Sequence, residues 1–164
     1  MTDLSFCSLP DELFDSAYQV MTKVADEIRA SGRKQRVAKI GEHTYKKWQA
    51  ENANFVALFQ GNIVGLATLR DEFLSDWPDY QSLGQVKMLR GLVTNPDFRG
   101  SRIGERFVGW ILENLAVNDT VYLDCVAGFL PNYYQKLGFE LIAKRENVTD
   151  SQGISYNICL MRHP

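Results

Sequence analysis

The sequence predicts one mixed α/β (α+β) domain built around a single sheet, and three observations lead there. Short apolar runs of strand length alternate with longer stretches in which apolar residues recur at helical spacing. A strand-like run, Val86 to Val93, passes through Asn95-Pro96 into a helical pattern made by Ile103, Phe107, Trp110, Ile111 and Leu115. Hydrophobic residues make up 45% of the 164 positions against 23% charged, which favours a packed core over disorder. A chain of this length is expected to form a single domain, 1–164, and no repeat, low-complexity tract or linker divides it.

The elements follow in order. Leu4 to Ser8 reads as a short strand. Pro10 opens a helix whose apolar face is Leu13, Ala17, Val20, Met21, Val24 and Ile28, with Gly32 at its end. A weaker second helix is expected from about Arg36 to Glu51, interrupted by Gly41. Phe55 to Phe59 and Ile63 to Leu69 flank Gln60-Gly61-Asn62 and read as a β-hairpin with a Gly-Asn turn. Asp71 to Gly84 is expected to be a polar loop, acidic through Asp71, Glu72, Asp76 and Asp79 and holding Trp77-Pro78. The strand from Val86 and the helix from Ile103 come next, then a fifth strand at Val121 to Val126. Leu130-Pro131 suits a helix start and Gly138 a C′ cap. Strands near Phe139–Lys144 and Ile154–Met161 close an order of β-α-α-β-β-β-α-β-α-β-β.

Composition narrows the function. A net charge of −2 gives no basic field to recruit nucleic acid or a membrane surface. Cys7, Cys125 and Cys159 are odd in number and form no Cys-x-x-Cys pair, and with only His43 and His163 beside them no metal site is expected. No basic leader and no apolar run of spanning length is visible, so a soluble, cytoplasmic protein is expected. Chemistry concentrates at Arg99-Gly100-Ser101-Arg102-Ile103-Gly104, where a turn enters a helix. Helix N-termini carry unpaired N–H groups and partial positive charge. Gly100 and Gly104 permit close approach to the backbone, and Arg99 and Arg102 add fixed positive charge, so a phosphate-bearing ligand is expected.

This segment resembles the acyl-CoA-binding motif of the GNAT superfamily of N-acyltransferases, Gln/Arg-x-x-Gly-x-Gly/Ala, here Arg99-x-x-Arg102-x-Gly104. The outer anchors match, and Arg102 replaces the middle glycine. Position 102 is expected near the first helical turn with negative φ, where glycine would serve close approach rather than an unusual dihedral. Tyr133-Tyr134-Gln135-Lys136-Leu137-Gly138-Phe139 resembles the family's Leu-Tyr-Glu-Lys-Leu-Gly-Phe signature, with Tyr134 on the signature tyrosine. Ala127 stands where the family often carries Asn. The resemblance covers nearly the whole chain and implies a GNAT-like fold, a mixed, mostly antiparallel sheet of about seven strands flanked by about four helices.

The resemblance also implies an activity: transfer of an acetyl group from acetyl-CoA to an amine by direct attack in a ternary complex. It places the pyrophosphate on Arg99, Gly100, Ser101, Arg102, Ile103 and Gly104, the pantetheine arm along Leu92 and Val93, and the general acid at Tyr134. Tyr133 is the adjacent alternative, since neighbouring helical residues point about 100° apart. The base is open between Asp124, reached through water, and a carboxylate of the acidic loop. Cys125 is a poor candidate nucleophile, because no histidine has a motif-level relation to it. The acceptor is a small-molecule or peptide amine, and a homodimer is compatible with this reading. A non-catalytic acyl-CoA-binding or sensor module is the alternative. A generic nucleotide-phosphate binder ranks last, because neither Gly-x-x-x-x-Gly-Lys-Ser/Thr nor Gly-x-Gly-x-x-Gly is present.

Overall fold

Seven strands form one sheet in the order β1-β2-β3-β4-β5-β7-β6, antiparallel throughout except where β4 runs parallel to β5. The computed structural model describes residues 3–32, 40–150 and 153–164. The strands are β1 Leu4–Ser8, β2 Asn54–Phe59, β3 Asn62–Phe73, β4 Gln85–Thr94, β5 Val121–Val126, β6 Glu140–Thr149 and β7 Ser155–His163. The helices are α1 Phe14–Ala30, α2 Glu42–Ala50, α3 Ile103–Asn114 and α4 Phe129–Gln135, with 3-10 turns at Asp11–Leu13, Pro78–Leu83 and Pro96–Phe98. The expected order of elements is therefore observed. Among the described residues no helix is long and apolar enough to cross a membrane.

Several boundaries differ from the sequence reading, each for a physical reason. The chain after Pro10 makes a 3-10 turn before α1 begins at Phe14. The second helix starts only after Gly41; residues 36–39 of the expected span lie outside the described residues. The hairpin turn is Gln60-Gly61, both at positive φ (50° and 78°), the two-residue geometry that matches strand twist, and Asn62 already belongs to β3. The acidic loop begins later than expected, because β3 continues to Phe73. Asp71 and Glu72 sit opposite Lys87 and Val86, and the Lys87–Asp71 ion pair at 3.0 Å holds this polar end in the ladder. The closing strands are longer than expected, Glu140–Thr149 and Ser155–His163.

Alternation sorts side chains onto two faces. One face packs α3 and α4 over a core of Phe55, Leu69, Leu89, Phe107, Ile111, Leu123 and Phe139. The other carries two separate clusters: Phe14, Ala17, Met21 and Tyr45 of α1 and α2 on Val56 and Leu66, and Trp77, Met88, Tyr122, Tyr156 and Leu160 farther along. The buried Asn54 ties α2 to the sheet, donating to the Tyr45 carbonyl (3.1 Å) and accepting from the Thr68 hydroxyl (2.9 Å). Asn95 does the same for the turn after β4, donating to the Ile63 carbonyl (2.9 Å) and accepting from the Asp97 N–H (3.2 Å).

Two irregularities in β4 position everything that follows. Leu66 pairs with Val93 and Thr68 with Arg90, so Ala67 faces two residues, Gly91 and Leu92: a bulge. Gly91 has φ +55°, a conformation that side chains with a Cβ disfavour. The bulge puts Arg90 and Val93 on the same face and turns Leu92 to the other. Second, β4 pairs with β5 only at Lys87↔Val121 and Met88↔Tyr122, after which the two strands part. Gly91→Ala is expected to destabilise the fold by about 1–2 kcal/mol through backbone strain alone. The added Cβ would stand 3.6 Å from Ile40 Cδ1, an ordinary contact. A denaturant titration checks this, and an unchanged midpoint would mean that the bulge relaxes without cost.

Candidate functional site

The parting of β4 and β5 opens a cleft of about 510 Å³. Its floor is Leu89 to Val93 of β4 on one side and Leu123 to Val126 of β5 on the other. Met21, Val24, Ala25 and Ile28 of α1, with Ile40 and Trp48, form one wall, and Leu130 and Tyr134 of α4 reach it from the opposite face of the sheet. The gap thus joins two faces that continuous pairing would keep apart.

A row of charges crosses the sheet where the strands separate. Arg90 bonds both oxygens of Asp124 through Nη1 (2.9 and 3.0 Å) and reaches Glu72 through Nε (3.1 Å). Arg70 joins Glu72 (3.1 Å) to Glu51 (3.0 Å) and stacks over Trp48 at 5.3 Å. Burial disfavours the charge on Arg90, but Asp124 and Glu72 outweigh it and hold the guanidinium pKa above its usual value. Asp124, with its side chain 6% exposed, is committed to this clamp. Of the four carboxylates expected on an acidic loop, Glu72 and Asp76 line the cleft, while Asp71 and Asp79 do not. Glu72 belongs to β3 rather than a loop.

The two tyrosines of α4 serve different places. The helix closes in a Schellman arrangement: Phe139 N–H donates to the Tyr134 carbonyl (3.1 Å), Gly138 N–H donates to the Gln135 carbonyl (3.1 Å), and Gly138 has φ +89°. Edge contacts at 5.7 Å with Phe139 and 5.2 Å with Tyr133 fix the Tyr134 ring, which faces the cleft beside Cys125. Burial, with Cys125, Tyr133 and Asp124 adding to it, raises the Tyr134 pKa well above the usual phenol value. Burial likewise pushes the Cys125 thiol up to about 12, which argues against a thiolate nucleophile. Tyr133 points elsewhere, into a second cavity of about 300 Å³.

That second cavity is the turn before α3. Thr94, Phe98, Arg99, Gly100, Ser101, Arg102, Ile103, Gly104, Glu105 and Tyr133 line it. The turn residues singled out in the sequence therefore line one cavity, and Thr94 at the end of β4 follows directly on Leu92 and Val93 of the cleft. Among the described residues no side chain caps the N-terminus of α3, whose first turn, Ile103 to Glu105, lines the cavity. The expected negative φ at position 102 is wrong: Arg102 is left-handed, φ +53° and ψ 28°. A glycine there would relieve backbone strain as well as bulk. The Arg102 side chain, 79% exposed, turns back onto Glu105, with Nε to Oε2 at 2.6 Å. Gly104 has a role not anticipated: a Cβ there would lie 2.8 Å from the Tyr133 hydroxyl, so the missing side chain makes room for that tyrosine. Arg99 pairs with Glu27 of α1 (2.8 Å) and Lys23 with Asp97 (2.9 Å), tying the turn to the first helix.

A model of the GNAT acetyltransferase family matches residues 20–139. The chain belongs to the GNAT acetyltransferase family. No curated protein sequence matches it. Solved structures share its fold: a Listeria monocytogenes GNAT acetyltransferase has a TM-score of 0.76 at 16% identity over 97% of this chain and 93% of that one. The Escherichia coli ribosomal-protein-S18-alanine N-acetyltransferase has a TM-score of 0.71 at 18% identity, over 98% and 93%. Arabidopsis thaliana Naa50, in complex with the bisubstrate analogue CoA-Ac-MVNAL, has a TM-score of 0.69 at 15% identity, over 99% of each chain.

Of the residues that the resemblance singled out, Leu92, Val93 and Tyr134 line the cleft and the Arg99–Gly104 turn lines the cavity beside it. The Arg90 clamp, the Gly91 bulge and the Trp48–Arg70 stack escaped sequence reasoning. Lys87 and Arg90 were visible as charged residues in an apolar strand, but their partners are remote in sequence. Among the described residues, no three His, Cys, Asp or Glu side chains gather as a metal site would need. Because Arg102 carries a strained dihedral and a solvent-exposed ion pair, Arg102→Gly is expected to raise stability by about 1 kcal/mol. That corresponds to about 2–4 °C in Tm for a domain of this size. A thermal melt with unchanged or lowered Tm would contradict this account of position 102.

Proposed function

We propose that the protein is an N-acetyltransferase that moves an acetyl group from acetyl-CoA to a primary amine by direct attack in a ternary complex. The observation that carries this is the placement of Tyr134 at the gap between β4 and β5, next to an uncapped helix N-terminus with its arginine. The residues present suit the donor. The open edge of β4 at Leu92 and Val93 accepts an extended amide-bearing arm in the manner of an added strand. The Arg99–Gly104 turn offers backbone N–H groups and the helix dipole to a pyrophosphate. The analogue bound to Naa50 links CoA, an acetyl group and a peptide, which agrees with both ends of such a cleft being filled together.

The chain's own groups divide the work. Cleft carboxylates attract the ammonium, which sheds a proton to water at a cost of about 4–5 kcal/mol at pH 7 for a lysine-like amine. The β4 backbone polarises the thioester carbonyl as the amine nitrogen bonds to its carbon. As the C–S bond breaks, Tyr134 gives its hydroxyl proton to the departing thiolate, the amide nitrogen releases its surplus proton to water, and Tyr134 is reprotonated from solvent. Its raised pKa keeps that proton in place at working pH. The clamp on Asp124 makes a water-borne route for the amine proton a better assignment than direct transfer to that carboxylate.

Removing only the hydroxyl, Tyr134→Phe, should lower kcat by roughly 10²–10⁴ while CoA binding persists. Tyr133→Phe should leave kcat nearly intact and change the apparent affinity for CoA, because Tyr133 faces the phosphate turn. Steady-state kinetics of the two variants decide between the tyrosines, and the reverse pattern would move the acid to Tyr133. If both keep full turnover, the thiolate is protonated from elsewhere.

The pH profile has a definite sign. A pKa raised above the usual value of about 10 keeps Tyr134 protonated, so kcat should rise as the amine deprotonates and show no falling limb below about pH 10. A falling limb between pH 8 and 9 would count against this acid.

Arg99→Ala should weaken CoA binding by about 1.5–3 kcal/mol, the worth of a charge-assisted hydrogen bond. Calorimetry reads this directly. Absence of any heat with wild-type protein at millimolar CoA would end the proposal, and CoA binding without thiol release from any amine would favour a binding or sensor module.

A further inference from the structure

The geometry points to one acceptor chemistry: a primary ammonium carried on an apolar alkyl or aryl group, rather than a polyamine or an aminosugar. This rests on the acyl-transfer reading and narrows it. Charge comes first. In the row of charges along the cleft, carboxylates outnumber guanidiniums three to two, Glu51, Glu72 and Asp124 against Arg70 and Arg90. Both arginines aim their N–H groups at carboxylates, Arg90 at Asp124 and Glu72, Arg70 at Glu72 and Glu51. An anionic group would meet this surplus as repulsion, whereas a single ammonium is attracted by it.

The wall opposite is different in kind. Met21, Val24, Ile28, Ile40 and Trp48 line it, all of them apolar. Ile40 Cδ1 and Met21 Cε stand 3.6 and 4.0 Å from where a Cβ on Gly91 would be, so this wall overhangs the bulge where the strands part. A polyamine or aminosugar must place a second cation or several hydroxyls a few bonds from the reacting nitrogen. Against this wall they would be desolvated without a partner. An alkyl or aryl group placed there is desolvated favourably. Two sources offer this chemistry, a free alkylamine or arylalkylamine and the N-terminal α-amine of a peptide beginning with an apolar residue.

The test is the initial rate of thiol release from acetyl-CoA by the full-length protein. The acceptors are ethylamine, butylamine, hexylamine and 2-phenylethylamine, with peptides beginning in Leu or Asp, and with spermidine and kanamycin. kcat/KM is expected to rise about fourfold per methylene until the wall is covered, as burial of each methylene implies. Spermidine and kanamycin should trail hexylamine by at least tenfold. A preference confined to the free amines or to the Leu peptide names the source and supports the inference in either case. Trp48→Ala should compress the hexylamine-to-ethylamine ratio at least tenfold, with Trp48→Phe restoring it. The half-buried Ile28, changed to Glu (Ile28→Glu), should shift preference toward spermidine. A flat series, or spermidine or kanamycin as the best acceptor, overturns the inference while leaving acyl transfer intact. Thiol release with none of the acceptors, CoA binding being normal by calorimetry, overturns the acyl-transfer reading and this inference with it.

Discussion

The rest of the molecule depends on the early end of pairing between β4 and β5. After Met88 and Tyr122 the ladder stops, and two neighbouring strands in the middle of a sheet leave backbone edges open. Unpaired edges inside a fold are costly unless something occupies them or water reaches them. Here the gap is held by side chains, with Arg90 of β4 reaching across to Asp124 of β5. Such a pair is a weak source of net stability, because desolvation offsets much of the attraction. Its value is geometric. The arginine bridges Glu72, which Arg70 also holds, to Asp124, so the row ties β3, β4 and β5 together beside the gap.

The bulge at Gly91 completes that constraint. One extra residue in β4 lets Arg90 and Val93 face α1 while Leu92 faces α3 and α4, so a single strand supplies part of the cleft floor and sends side chains to both faces of the sheet. Three apolar clusters, one on one face of the sheet and two on the other, pack the strands that flank the opening. The cleft is accordingly placed on strands and packed helices, with the pinned Asn95 turn leading from it to the cavity at the start of α3.

Position 102 illustrates how a motif departure is absorbed. The left-handed turn at the N-terminus of α3 has been kept with an arginine in it, and the backbone strain is accompanied by an ion pair to Glu105 that turns the side chain away from the turn itself. Tyr133, which the sequence offered only as a rival to Tyr134, occupies the space over Gly104. The two neighbouring tyrosines thus face two different cavities, Tyr134 the cleft and Tyr133 the turn before α3.

What the sequence determined by itself was local in origin. Alternation and helical spacing depend on a few neighbouring residues, so strand and helix order, the cap at Gly138 and the Arg99–Gly104 turn were all legible along the chain. The signature resemblance singled out Tyr134, and the fold sets it at the cleft, with α3 and β5 between it and that turn. Boundaries governed by cross-strand charge pairs were misread, as at Asp71 and Glu72, because their partners lie across the ladder. Only the tertiary structure decided the rest. The Arg90–Asp124 clamp links residues 34 apart, the Trp48–Arg70 stack joins α2 to β3, and the bulge exists only as a mismatch between two strands. Each is a relation between distant segments, created when the sheet forms and absent from any window of sequence.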